Sequence, residues 1–301
     1  MNNSVGDQIN ASARDGGSAA IAFVPTSSGF GAECINVNLA HELNSERRQK
    51  IWQGVLNYQL IFFRNQKLEK KDQVKFGERF GEFEIPVNKD YWSPDFQQLH
   101  VVSNRDSEGN LASAKAMETR GNYFWHTDAS YMQRPSSITM LYALEVPDSG
   151  GDTKFANMYA AYDALDEGMK QRLAGLRAVH DWAQSRINSG SRPATQEEEK
   201  KAPSTSHPIV RTHPETGRKG LYIGNHTSHI EGMDKDEGRK LLAELVEHAT
   251  QPQFVYTHKW RSGDLVMWDN RCLLHKASED YDMSKQARVL HRTVLQGTVP
   301  V

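Results

Sequence analysis

Two histidines and one aspartate have the residue types of a metal site. His126 and Asp128 lie two residues apart in the run Tyr-Phe-Trp-His-Thr-Asp, and His275 comes much later, in Trp-Asp-Asn-Arg-Cys-Leu-Leu-His. Two histidines and one carboxylate form the facial set that holds non-haem Fe(II) and leaves positions open for oxygen chemistry. Side chains two apart on a strand share a face, so a strand over 122–128 would place His126 and Asp128 together. We expect a closed β-structure to bring His275 to them.

Two arginines follow in the apolar stretch Arg-Val-Leu-His-Arg-Thr-Val-Leu. Arg288 and Arg292 are four residues apart and therefore share one face of a predicted strand. Arginine forms two hydrogen bonds with a carboxylate and stays charged when partly buried. Beside the metal ligands, one arginine could hold a keto-acid co-substrate and the other an anionic substrate.

A glycine pair precedes a threonine in Pro-Asp-Ser-Gly-Gly-Asp-Thr. Gly150 and Gly151 permit a tight turn with positive φ, after which Thr153 enters an apolar stretch. The threonine hydroxyl could donate a hydrogen bond to the same carboxylate that an arginine holds.

Together these motifs resemble the taurine dioxygenase and 2,4-dichlorophenoxyacetate dioxygenase family of Fe(II)- and 2-oxoglutarate-dependent oxygenases. The landmarks are Trp-His-Thr-Asp, Gly-Gly-Asp-Thr and Trp-Asp-Asn-Arg with the later histidine and arginine, and the similarity spans about 28–297. The segments that begin at Val210, Gly217, Leu241 and Gly263 are most similar to the 2,4-dichlorophenoxyacetate branch.

The resemblance implies a role for each of these residues. His126, Asp128 and His275 would bind iron. Thr153 and Arg288 would hold the distal carboxylate of 2-oxoglutarate, and Arg292 would meet the acidic group of the primary substrate. In the phenoxyacetate branch, residues near the substrate correspond to His213, His229 and Asn122. His226, like the other two histidines of its segment, can also be read as a hydrogen-bonded loop or core residue.

The resemblance also implies the fold, a mainly β double-stranded β-helix (jelly roll) of the clavaminate synthase-like type with flanking helices. The residue pattern agrees with many short strands and a few segregated helices. It predicts helices over 44–58, from about 70, over 157–174 and over 234–249. It predicts strands at about 33–37, 60–63, 98–103, 122–128, 137–146, 219–223, 253–259, 264–268 and 288–296.

The composition predicts one domain. A mobile tail over 1–22, rich in Asn, Ser, Ala and Gly, precedes a single domain over 23–301. The polar segment 186–206 is predicted to be the least ordered internal part and to act as a lid-like loop.

Charge and cysteine content narrow the classes of partner. The chain has 36 Lys and Arg against 38 Asp and Glu, with no long run of like charges, so we expect no nucleic-acid partner. No apolar stretch suggests a membrane span or a signal peptide. The two cysteines, Cys34 and Cys272, form no disulfide framework, which favours a reducing cytoplasm where iron stays ferrous. The expected partner is a small-molecule carboxylate, and a homo-oligomer is left open.

The implied reaction is hydroxylation of a small carboxylic acid with Fe(II), 2-oxoglutarate and O₂, and with ascorbate as reductant in vitro. An aryloxyacetate such as 2,4-dichlorophenoxyacetate would be cleaved to a phenol and glyoxylate while succinate and CO₂ are released. Asp128 favours hydroxylation, since a small residue in its place would leave room for halide.

Three alternatives stay open at this point. The substrate could be taurine or another alkylsulfonate, because Arg292 would bind a sulfonate as readily as a carboxylate, or it could be a different carboxylic acid. A zinc hydrolase could use the same ligands but would not need Thr153, Arg288 and Arg292. A non-catalytic binding protein could keep the fold, although intact ligands argue against it.

Overall fold

The computed structural model describes residues 19–85, 92–106, 108–111 and 120–301. In chain order its strands are β1 (Ala22–Pro25), β2 (Ala32–Ile35), β3 (Leu60–Phe63), β4 (Trp92–Ser93), β5 (Phe96–Ser103), β6 (Ser136–Glu145), β7 (Thr153–Asn157), β8 (Arg177–His180), β9 (Thr205–Pro208), β10 (Val210–Thr212), β11 (Lys219–Leu221), β12 (Thr227–Ile230), β13 (Val255–His258), β14 (Leu265–Asp269), β15 (Leu273–Ala277) and β16 (Val289–Gln296). The α-helices of this described part are α1 (Ser45–Tyr58), α2 (Lys70–Glu78), α3 (Met158–Asp163), α4 (Glu167–Leu173), α5 (Trp182–Asn188), α6 (Gln196–Lys201) and α7 (Lys235–Ala249).

The strands form one large sheet and three small ones. The large sheet has eight strands in the order β1-β2-β3-β14-β6-β16-β5-β4. A three-stranded sheet, β13-β7-β15, packs against its inner face, and the sheets β12-β8-β9 and β10-β11 extend the structure beyond it. The two facing sheets are the layers of the predicted jelly roll.

Alternating side chains on the central strands divide the hydrophobic core. On β3, Leu60 and Phe62 face the small sheet, while Ile61 and Phe63 face α1 and α2 on the outer side. Strand β14 repeats this alternation, and all of its residues are buried. Because side chains alternate along a strand, both faces of the sheet are apolar and both are covered. On the far side of the small sheet, α7 packs against β11, β12 and β15.

Local capping explains where several helices begin. Asn44 caps α1 by accepting a hydrogen bond from the backbone N–H of Arg47. The single helix predicted over 157–174 is wrong, because the side chain of Asp166 accepts from the backbone N–H of Met169 and starts a new helix. Two short helices, α3 and α4, therefore occupy this stretch.

The segment 186–206 has more regular structure than predicted. Its middle forms α6, which begins with a capping box: Thr195 and Glu198 each accept a backbone N–H of the other. Arg192 forms an ion pair with Glu198, and the segment ends in β9. The segment therefore contains regular secondary structure, and its role as a lid stays a prediction.

The predicted tail over 1–22 lies mostly outside the described residues. At its end, the carbonyl of Ala20 accepts a hydrogen bond from Asn36, and Ile21 is buried. Among the described residues, every helix is too short or too polar to cross a lipid bilayer. Cys34 and Cys272 are both buried free thiols.

Candidate metal centre

His126, Asp128 and His275 meet at one buried point, but a regular strand does not carry the first two. His126 forms an isolated antiparallel bridge with His275, in which each backbone N–H donates to the other carbonyl at 3.0 and 2.8 Å. Asp128 already begins a turn, so the predicted strand over 122–128 is wrong. The potential ligand atoms of the three residues nevertheless all lie within 4.8 Å of one another. The backbone bridge, rather than strand periodicity, sets the distance between the two imidazoles.

Asp128 is held so that one carboxylate oxygen faces the histidines. Its Oδ1 lies 3.9 Å from Nε2 of His126 and 3.8 Å from Nε2 of His275. Its Oδ2 accepts a hydrogen bond of 2.5 Å from the Thr139 hydroxyl. Asn270 supports this arrangement, because its amide nitrogen donates to the Thr139 hydroxyl and its amide oxygen accepts from the backbone N–H of Asp128. Thr139 and Asn270 were not predicted as site residues, although Asn270 belongs to the motif Trp-Asp-Asn-Arg.

The protonation states suit a divalent cation. Burial by itself would raise the pKa of Asp128, but the charge of Arg292 lowers it well below its usual value, so it is ionised. Burial lowers the pKa of both His126 and His275, so both imidazoles are neutral. The Nδ1–H of His126 donates to the carbonyl of Phe124 at 2.8 Å, which leaves the Nε2 lone pair for a metal. Two neutral histidines and one carboxylate with other positions open fit Fe(II).

Arg292 lies beside the metal ligands, as its spacing predicted. Its Nη2 donates to Oδ1 of Asp128 at 2.7 Å, and about a quarter of its side chain is exposed (24%). Glu84 is a second acid near this arginine; burial raises its pKa, while the Ser136 hydroxyl and the charge of Arg292 lower it. No sequence motif indicated that Glu84 belongs to this region.

Arg288 and Thr153 form a second group with an unpredicted tryptophan. Arg288 donates through Nε to the carbonyl of Gly151 at 2.8 Å and through Nη2 to Oγ1 of Thr153 at 3.3 Å. The indole N–H of Trp260 also donates to Oγ1 of Thr153, at 3.0 Å. A hydroxyl has two lone pairs and one hydrogen. Because both lone pairs meet N–H donors, the hydroxyl hydrogen of Thr153 is left to donate to another acceptor.

The predicted glycine turn positions this group. Gly150 and Gly151 have φ of +77° and +65°. A Cβ on Gly150 would lie 2.3 Å from the carbonyl oxygen of Asp280, so this position has no room for a side chain. The turn thereby packs against the segment before Arg288 and presents the carbonyl of Gly151 to the guanidinium.

The residues that correspond to positions near the substrate in the phenoxyacetate branch lie apart from the proposed metal ligands in their contacts. His213 donates through Nε2 to Asp269 at 3.0 Å, and its Nδ1 accepts the backbone N–H groups of Glu215 and Thr216. His229 contacts the Ser228 hydroxyl through Nδ1. Asn122 is exposed in a short 3₁₀ helix, Arg120–Tyr123. The structure therefore does not bring these three residues into contact with the triad.

His226 is the histidine of its segment that does reach the centre. Its ring meets those of His126 and Tyr131 edge-on, with centroids 6.0 and 5.0 Å apart. Its Nδ1 pairs with the Ser130 hydroxyl at 3.0 Å, and burial lowers its pKa to about 3. The ring of Trp182 lies 6.1 Å from that of Tyr131 and continues this aromatic wall. Sequence spacing could not separate His226 from His213 and His229, because the difference depends on how distant loops pack.

Comparison with known proteins gives consistent results. Residues 22–294 match the family described as taurine catabolism dioxygenase TauD, TfdA family. The α-ketoglutarate-dependent 2,4-dichlorophenoxyacetate dioxygenase of Cupriavidus pinatubonensis is 41% identical over 276 residues, which cover 90% of this chain and 96% of that protein. Its namesake from a Burkholderia strain is 44% identical over 242 residues, or 78% of this chain and 81% of that protein.

Solved structures agree with these sequence matches. The crystal structure of AAD-2 with Mn(II) and N-oxalylglycine superposes with a TM-score of 0.85 at 35% identity and covers 94% of this chain and 98% of that chain. A taurine dioxygenase from Burkholderia xenovorans gives a TM-score of 0.79 at 30% identity and covers 94% and 91%. These likenesses confirm the predicted fold class.

Proposed function

Because the chain belongs to the TauD, TfdA family of dioxygenases, we propose that it hydroxylates a small carboxylic acid, most simply an aryloxyacetate. The observation that carries this proposal is the convergence of a buried ligand set, His126, Asp128 and His275, with two arginines that face the same region. A metal hydrolase needs no such pair of arginines, and the named relatives are dioxygenases, so the zinc alternative has no support.

Each product follows from a balanced reaction. Fe(II), 2-oxoglutarate and O₂, when bound, would supply the oxidation: one oxygen atom would go into succinate as CO₂ leaves, and the other into a C–H bond of the substrate. For an aryloxyacetate, the carbon between the ether oxygen and the carboxylate would gain a hydroxyl. The resulting hemiacetal would collapse: the bond between this carbon and the ether oxygen breaks, the phenol leaves with that oxygen and the hydroxyl proton, and the carbon becomes the aldehyde of glyoxylate.

Thr153, Arg288 and Trp260 would hold the distal carboxylate of 2-oxoglutarate; we name this group the co-substrate end. Arg288 supplies positive charge, and its recorded hydrogen bonds go to neutral oxygens of Gly151 and Thr153. The Thr153 hydroxyl adds a donor whose direction is fixed by its two N–H partners. A carboxylate that accepts from both would gain charge-assisted hydrogen bonds.

Arg292, His226 and Tyr131 would receive the primary substrate; we name this group the substrate end. A guanidinium carries five N–H donors, so Arg292 can contact Asp128 and still offer donors to an acid. The rings of His226, Tyr131 and Trp182 supply an aromatic wall near His126. This wall supports an aryl group on the substrate, as do relatives named for 2,4-dichlorophenoxyacetate.

The main alternative is an alkylsulfonate such as taurine, or another carboxylic acid. Arg292 would bind a sulfonate equally well, and a solved taurine dioxygenase shares the fold. His213, His229 and Asn122 remain proposed substrate residues, although their present contacts lie elsewhere.

We also propose a cytoplasmic location, which two free thiols support.

Succinate formation tests the proposal directly. The purified protein would be incubated with Fe(II), ascorbate as reductant and 2-oxoglutarate, together with an aryloxyacetate, taurine or no substrate. We expect the aryloxyacetate to stimulate succinate formation and to release one phenol per succinate. Stimulation by taurine alone would instead establish the sulfonate alternative, and no succinate in any mixture would contradict the oxygenase itself.

A further inference from the structure

Four buried polar side chains form a cluster that the proposed reaction does not use. His180, His207, Arg211 and Tyr222 are exposed by 0, 1, 2 and 3%. The two imidazoles have centroids 5.2 Å apart, and each lies within 5.8 Å of the Tyr222 ring. The guanidinium carbon of Arg211 lies 4.7 Å from the centre of that ring. We call these four residues the cationic cluster.

Several buried polar atoms of the cationic cluster have no hydrogen-bond partner. In the part of the chain that the structure describes, six buried side-chain nitrogen and oxygen atoms of this cluster have no hydrogen-bond partner. They are both ring nitrogens of His180, Nδ1 of His207, Nε and Nη1 of Arg211 and Oη of Tyr222. Buried polar groups in native proteins are almost always satisfied. Six exceptions in one cluster therefore indicate a ligand.

The charge of Arg211 is also unbalanced. Arg271, another buried arginine, forms ion pairs with Asp269 and Glu215. Arg211 forms no ion pair with any described residue, and Asp128, whose charge reaches Tyr222, is already paired with Arg292. Stacking on Tyr222 offsets part of the charge of Arg211 but leaves its Nε and Nη1 without a hydrogen-bond partner. A buried charge without a counter-charge is strongly unfavourable.

We propose that the cationic cluster binds a small inorganic monoanion such as chloride. Arg211 offers the donors at Nε and Nη1, while Tyr222 and neutral His180 each offer one more. Water could satisfy these donors, but it would not balance the charge, which is why an anion is the better occupant. His207 links this site to the metal centre, since its Nε2 donates to the carbonyl of Met132, in the segment that also carries His126 and Asp128. Anion binding should therefore stabilise that segment.

Bromide locates the anion without any substitution. The wild-type protein would be crystallised with Mn(II) and N-oxalylglycine, so that the metal is occupied, and soaked in sodium bromide. We expect an anomalous bromide peak within hydrogen-bond distance of Arg211. Thermal unfolding of the same complex should shift to higher temperature in chloride than in gluconate at equal ionic strength. A map with no bromide peak in the cluster, or equal unfolding temperatures in both salts, would overturn the proposal.

Two arginine variants assign the effect to the cluster. Arg211→Met keeps most of the side-chain volume but removes the charge, and it should abolish the chloride dependence of unfolding. Arg218→Met is the matched control, because Arg218 also stacks on a tyrosine, Tyr159 at 4.2 Å, but is exposed and pairs with Asp163. Chloride dependence that persists in Arg211→Met would refute the site. If that variant does not fold, Tyr222→Phe, which removes one donor, should weaken the chloride dependence severalfold.

Discussion

The co-substrate end and the substrate end differ in how their arginines are paired. Arg288 donates to a carbonyl and a hydroxyl, and among the described residues it has no carboxylate partner. Arg292 already forms an ion pair with Asp128, a proposed metal ligand. The co-substrate end therefore has an uncompensated positive charge for an anion, whereas the substrate end shares its charge with the metal centre. A metal ion bound to Asp128 should weaken the ion pair between Asp128 and Arg292 and leave the guanidinium more available to the substrate. Substrate binding would then be coupled to metal binding.

The two ends also differ in what holds them in place. Thr153 lies on β7, which pairs with β13 and β15 in the middle of the small sheet. His226 and Tyr131 lie on connections, where ring contacts, the Ser130 hydroxyl and one backbone hydrogen bond, from Asp181 to the carbonyl of His226, position them. Backbone ladders define positions more strictly than ring contacts between loops. Substitutions at the surface should accordingly leave the oxidation chemistry unchanged. Substitutions in the loops of the substrate end should readily change which substrate is accepted.

Removal of Asp128 should disrupt both ends at once and have the largest effect. Asp128→Ala deletes a ligand atom and the partner of Arg292. We expect turnover to fall to the assay background and Fe(II) no longer to bind stoichiometrically, as measured by succinate formation and metal analysis. Asp163→Ala is the control, since it removes an exposed carboxylate that pairs with Arg218. Turnover near the wild-type level in Asp128→Ala would contradict the assignment of the metal site.

Exchange of each arginine for glutamine should separate the two ends. Arg288→Gln should raise the KM for 2-oxoglutarate about 10- to 100-fold and leave the KM for the primary substrate nearly unchanged; Arg292→Gln should do the reverse. The size follows from hydrogen bonds to charged groups, worth about 1.5–3 kcal/mol. Steady-state kinetics with each substrate varied in turn measures both values, and each variant is the control for the other. If both variants raised the same KM, the division into two ends would be wrong.

The parts of the site that sequence could predict are those that depend on residue type and order. His126, Asp128, His275 and the Arg288–Arg292 spacing were recognisable because the chemistry requires these residue types. Strands such as β3 and β14 were predictable because continuous apolar runs mark strands that are buried on both faces.

The rest depends on contacts between residues far apart in the chain. The bridge between His126 and His275 replaces the predicted strand, and the Trp260 contact with Thr153 joins residues more than a hundred positions apart. The cationic cluster also depends on distant contacts. Arg211 looks like any other strand residue in the sequence, and only the folded chain places it and His180 beside the same ring, that of Tyr222. No local pattern contains this information.

Loss of the Trp260 N–H should weaken only the co-substrate end. Trp260→Phe frees one lone pair of the Thr153 hydroxyl, so that its hydrogen no longer has a fixed direction. A neutral hydrogen bond contributes about 1 kcal/mol, so we expect the KM for 2-oxoglutarate to rise about 5-fold with kcat little changed. Trp52→Phe is the matched control, because that indole N–H donates to Glu215 elsewhere. A loss of kcat with unchanged KM would show that Trp260 acts only in general packing.

Acid should destabilise the protein in part through His226 of the substrate end, whereas the co-substrate end has no histidine. The pKa of His226 is about 3 in the folded protein, below its ordinary value near 6.5. Between these values the unfolded chain binds a proton that the folded protein does not, so stability falls as the pH drops through this window, by up to about 1.4 kcal/mol per pH unit. In His226→Gln this contribution should vanish, so urea unfolding of the metal-free variant should depend less on pH between 6.5 and 5 than that of the wild type. His41→Gln, at an exposed position, should keep the wild-type dependence; an identical slope in His226→Gln would mean that this imidazole is not held neutral beside His126.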